Sequence, residues 1–69
     1  MLSFKIDIIE VGARRAVETI HFGSDSIEDA LNRQSDHWND HLALSQRHSS
    51  RLYAKSASSR WERLGMIFC

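Results

Sequence analysis

Proline is absent from this sequence, cysteine occurs once and glycine three times. With no proline, no position is barred outright from a helix, and no glycine interrupts the chain between Gly23 and Gly65. The single cysteine, Cys69, cannot form a disulfide within one chain, and a lone thiol points to a reducing compartment, so a cytoplasmic setting is expected. Long apolar runs are missing as well. The opening stretch MLSFKIDIIEV carries Lys5 and Asp7 inside it, and nothing approaches the roughly 20 apolar residues that cross a bilayer. Neither a membrane span nor a signal peptide is expected. An excess of one charge is also lacking: nine basic residues balance nine acidic ones. Their distribution is uneven, with four Lys/Arg against eight Asp/Glu in residues 1–40 and five against one in 41–69. Such polarity can orient a helix, align two subunits or present a basic face to an acidic partner.

What is present fits one small folded domain. The 69 residues are 42% apolar with mixed charges, a composition typical of folded chains. A chain of this size buries only about 60% of its unfolded surface. Extra stability is therefore expected from a metal or from self-association.

The N-terminal stretch alternates. Phe4, Ile6 and Ile8 fall on one side and Lys5 and Asp7 on the other, and Val17, Thr19, Ile20 and Phe22 form a second run of similar length. Period two with β-branched residues reads as strands, and Gly12 between them reads as a tight turn, giving a β-hairpin over residues 3–22. A three-residue loop at Gly12, Ala13 and Arg14 pairs Phe4 with Phe22, Ile6 with Ile20 and Ile9 with Val17. A two-residue loop would set Asp7 opposite Glu18, which like charges disfavour.

After Gly23, Asp25 can cap the free amides of a helix and Glu28 can complete a capping box. A helical part is expected over 26–64, as one long helix or two shorter ones. A break would fall at the serines of 48–50 or 56–59, Gly65 would cap the end, and 65–69 would be an apolar tail. Helical spacing gives two stripes. Leu31, Leu42, Ser45, Ser49 and Leu52 mix large and small residues on one of them, which suits close packing of two helices across a homodimer; the alternative is that the serines simply face water. The second stripe carries His37, His41 and His48. His37 and His41, one turn apart, can chelate a metal in principle, but His48 is about 10 Å further along a helix, and Trp38 replaces the glutamate that follows the first histidine in helical zinc proteases. A pH-sensitive rim or exposed histidines fit the pair as well. No cofactor is expected.

Catalytic signatures are missing too: no nucleophile-elbow glycines, phosphate loop or dinucleotide fingerprint. A non-enzymatic binding protein is expected. Trp38, Tyr53, Trp61, Arg47 and Arg51 are the residue types that anchor protein interfaces. Arg47, Arg51 and Lys55 also form a ridge, joined by Arg60 and Arg63, that with Tyr53 and Trp61 offers nucleic acid as an alternative partner.

The hairpin FKIDIIEVGARRAVETIHF, the capped start SDSIEDAL and the basic, aromatic C-terminal half together resemble the small accessory proteins of bacteriophages, among them anti-CRISPR proteins and quorum-sensing anti-activators. The resemblance, one of size and plan, implies a compact homodimer in the host cytoplasm. It would act stoichiometrically by occupying a larger host protein such as a transcriptional activator, a nuclease complex or a pilus motor. The fold expected is α+β, a hairpin followed by helices.

Overall fold

The computed structural model describes residues 1–42 and 47–68. Strands β1 (Leu2–Glu10) and β2 (Ala16–Ser24) are followed by helix α1 (Ile27–His37), which runs on into a π-helical segment, Trp38–Leu42. Strands β3 (His48–Lys55) and β4 (Trp61–Phe68) complete the chain. The four strands form one antiparallel sheet in the order β2-β1-β3-β4. This overturns the expected plan of a hairpin followed by helices, because the second half of the expected helical part is a second hairpin.

The physical reason lies in spacing. Arg47, Arg51 and Lys55 recur every four residues, which shares a face in a helix but equally in a strand, since four is a multiple of two. Between them the finer alternation decides: Ser50 and Leu52 are buried, whereas Arg51 and Tyr53 are half-exposed. The serines at 56–59 are not a helix break but the connection of β3 to β4, closed by Ser56 N–H donating to the Arg60 carbonyl at 2.7 Å. Gly65 does not cap a helix either. It sits inside β4 at φ +66, where the pairing with β3 shifts register, and a Cβ there would lie 2.6 Å from Leu31 Cδ2. Positive φ and close approach of the helix both require glycine at this bulge.

In the first hairpin Phe4 stands opposite Phe22 and Ile6 opposite Ile20, with the phenylalanine rings stacked at 5.6 Å. The loop is longer than three residues, and a register shift places Ile9 opposite Ala16 rather than Val17. Asp7 then faces Thr19, whose hydroxyl donates to it at 2.9 Å.

Helix α1 begins one residue later than expected. Ser26, not Asp25, is the cap, its hydroxyl accepting from Asp29 N–H at 3.1 Å. Asp29 in turn accepts from the Ser24 hydroxyl at 2.6 Å and pairs with Arg33. The Ser24 hydrogen bond, with help from Arg33, lowers the Asp29 carboxyl below its ordinary pKa. An ionised acid in the first turn also complements the positive end of the helix, so end of β2 and start of α1 are tied by one polar chain.

The helix lies on the sheet face carrying Phe4, Ile6, Ile8 and Leu52, which with Ala30 form the core; Ile20, Phe22, Leu31, Leu42 and Leu64 pack around it. Three of the expected dimer contacts, Leu31, Leu42 and Leu52, are thus used within the chain. Ser49 stands in β3 opposite Ile9, so the expected helical seam is not formed among the described residues; Ser45, like Cys69, lies outside them. The homodimer built on that seam falls with it. Trp38, expected as a partner anchor, is buried at 9% exposure and stacks on Phe68 at 5.6 Å. Its ring closes the core where the π-helical segment meets the end of β4.

One polar residue is embedded in this core. Gln34 is fully buried, its Nε2 donating to the carbonyl and hydroxyl of Ser50 at 3.2 and 3.3 Å, while its Oε1 has no partner among the described residues. Gln34→Ala removes both donors and leaves a void, and about 2–4 kcal/mol of destabilisation is expected. Gln34→Met keeps the volume and removes the orphaned acceptor, so its cost should stay below about 1.5 kcal/mol. Urea midpoints of the two variants check the difference.

Candidate functional site

The helix covers one face of the sheet, and among the described residues no element covers the other. Successive strand residues point to opposite faces, so the register that buries Phe4, Ile6 and Leu52 sends Lys5, Asp7, His21, Arg51, Tyr53, Lys55, Trp61 and Arg63 to the open one. Lys5 stands opposite both His21 and Tyr53, Asp7 opposite Arg51, Tyr53 opposite Arg63, and Lys55 opposite Trp61.

These side chains form a connected surface. The Lys5 ammonium lies 5.1 Å from the ring centres of both Tyr53 and Trp61, and Lys55 lies 5.9 Å from the Trp61 ring. The indole of Trp61 reaches across the sheet from β4 to within 5.9 Å of the His21 ring on β2. Both Tyr53 and Trp61 remain half-exposed. Cations over aromatic faces hold those rings in place, each contact contributing about 0.5–1 kcal/mol at such exposed sites.

Charge is segregated between the two sides of the molecule. On the open face four cations, Lys5, Arg51, Lys55 and Arg63, meet one carboxylate, Asp7, which is already engaged by Lys5 at 3.7 Å and by Thr19. The Arg51 Nε is buried with no acceptor among the described residues. On the other side, residues 25–42 hold Asp25, Glu28, Asp29, Asp36 and Asp40 against Arg33 alone. A net charge of zero therefore hides a basic face and an acidic one.

Of the five residues expected to contact a partner, Arg51, Tyr53 and Trp61 come together on the open face. Trp38 belongs to the core, and Arg47 sits at the turn before β3, its carbonyl accepting from Val11 N–H at 2.7 Å. Lys5 and His21 are essential parts of the surface that sequence reasoning left out. The signal for Lys5 was present, since the alternation of β1 already put it on the outer side.

The histidines do not form a stripe of three. His37 and His41 lie 4.9 Å apart between ring centres at the junction of α1 and the π-helical segment, whereas His48 begins β3 opposite Glu10. The His37 Nδ1 is buried without a partner among the described residues. No cluster of three or more His, Cys, Asp or Glu side chains that could hold a metal occurs among the described residues. No helix among the described residues is long and apolar enough to cross a membrane.

Comparison with known proteins returned no matching family model, no matching curated protein and no matching solved structure. The open face itself is therefore the basis for a functional reading.

Proposed function

We propose that the chain is a non-catalytic binding module whose open sheet face takes up single-stranded nucleic acid. The observation that carries this reading is the interleaving of two half-exposed aromatic rings, Tyr53 and Trp61, with Lys5, Arg51, Lys55 and Arg63 on one uncovered antiparallel sheet. Bases stack on aromatic side chains presented by such a sheet, and phosphates between the bases need cations at intervals comparable to those separating the rings. Arg51, half-exposed on this face, brings a guanidinium whose fork geometry is suited to a phosphate oxygen.

A larger host protein, the partner that the resemblance to phage accessory proteins implies, would use the same residues as anchors. The position of Lys5 favours nucleic acid. Lysine is depleted at the centre of protein interfaces, and here its ammonium occupies the middle of the face between the two rings.

Anisotropy titration with labelled, mixed-sequence single strands of DNA and of RNA, at low salt where phosphate contacts are strongest, tests the proposal. Saturable binding to one or both, with the logarithm of affinity falling linearly against the logarithm of salt, is the expected result. Absence of binding to both, with capture of an acidic protein that Trp61→Ala abolishes, would establish the protein-binding role in its place.

A further inference from the structure

Beyond the two rings, the basic surface does not end at the sheet. We propose that the bound strand continues along β3 and onto the tip of the first hairpin, where Arg14 and Arg15 form a second phosphate-contacting patch; this rests on the nucleic-acid reading of the open face.

Three observations place the patch. Lys55, Tyr53 and Arg51 lie in one row along β3, and Arg47 precedes the strand at the end where that row points. The hairpin loop meets the same end: Glu10 is opposite His48, and Val11 N–H donates to the Arg47 carbonyl at 2.7 Å. Residues 11–15 are all exposed, with Val11 at 71%, so Arg14 and Arg15 stand in solvent just before β2, at the same end of the sheet as the start of β3. Neither arginine pairs with a carboxylate among the described residues. Glu10, the nearest acid on β1, belongs to the row that runs through Phe4, Ile6 and Ile8 on the helix side. The loop thus adds two positive charges at that end of the sheet and no negative one.

The dimensions set the ligand's length. From Lys55 to Arg47 the strand rises about 26 Å at roughly 3.3 Å per residue, within the molecule's longest dimension of 34 Å. One strand of duplex DNA carries a phosphate about every 3.4 Å, so the track holds at most about eight nucleotides and fewer of a strand opened to stack its bases on the rings, inside the range of about 4–16 seen for single-strand modules. A trinucleotide would occupy the rings alone, whereas a longer strand would reach the hairpin tip.

The deciding experiment compares a trinucleotide with a nonanucleotide of the same base composition on the wild-type chain and on the Arg14→Ala/Arg15→Ala double variant. On the wild type, affinity should rise with length until the track is filled. The double variant should lose affinity for the nonanucleotide only, and its salt slope should shrink by about 1.4, two phosphates at about 0.7 each. If both lengths bind the wild type equally, or the double variant binds the nonanucleotide unchanged, the extended path is wrong and the face alone is the site. If neither length binds, the reading of the face fails and the path fails with it. Thermal unfolding of the double variant separates lost contacts from lost fold.

Discussion

Leu52→Ala should remove most of the stability of the domain. Leu52 is fully buried in the central strand β3, between Ile6 on β1 and Leu64 on β4, on the face that α1 covers. Truncating a buried leucine costs about 2–5 kcal/mol, the upper part applying where neighbours cannot collapse into the space. Here three strands fix the surroundings, so the upper part is expected. A core in a chain this short rarely supplies more than about 3–5 kcal/mol in total. The variant should therefore show little or no native baseline in urea, and the wild-type transition should be cooperative, with a midpoint independent of protein concentration. Had Leu52 served a helical seam between two subunits, the wild-type midpoint would rise with concentration, because association and folding would be linked. Val17→Ala, at a position 54% exposed on the edge strand β2, is the control and should change stability by no more than about 0.5 kcal/mol.

The contrast between Leu52 and Val17 also shows what the sequence could and could not reveal. Alternation of Phe4, Ile6 and Ile8 with Lys5 and Asp7 fixed both the strand character of β1 and the face that would be open, because period two has no helical counterpart over that length. In β3 the same alternation is weaker. Ser50 takes an inward position normally held by an apolar residue, and it is acceptable there only because Gln34 from the helix donates to it, a contact no local pattern can announce. The absence of proline and glycine from 24–64 removed the obvious stop signals but supplied no helix-forming drive. Of residues 48–55, His48, Ser49, Ser50 and Tyr53 are middling helix formers while Arg51, Leu52, Ala54 and Lys55 are good ones, so propensity alone does not separate helix from strand there. Trp38 shows the converse error. A tryptophan on a helix can anchor a partner or close a core, and which of the two occurs depends on Phe68 at the far end of the chain. The chemistry of Tyr53 and Trp61 makes them candidate anchors, but only the sheet register shows that they share a face with Lys5.

Trp61→Ala should produce the largest loss of function. The ring bridges the open face from Lys55 to His21, so it offers a stacking surface across the width of the sheet and helps hold Lys5 in place. Removing one base-stacking aromatic costs about 1–3 kcal/mol, which corresponds to about a five- to 150-fold weaker affinity for single strands. The salt slope should be unchanged, because the indole touches no phosphate charge. Arg63→Ala should behave in the opposite way, with a smaller loss at low salt and a slope reduced by about 0.7. With Arg51, Lys55 and Arg63 each meeting one phosphate while Lys5 is held by Asp7, the slope of the face alone is about −2.1 on the same scale. The two variants together separate stacking from charge: a protein partner docking on the same anchors would lose affinity with either substitution but would show no such division. A Trp61→Ala variant that binds single strands as tightly as the wild type would remove the aromatic platform from the mechanism and leave only a non-specific basic surface.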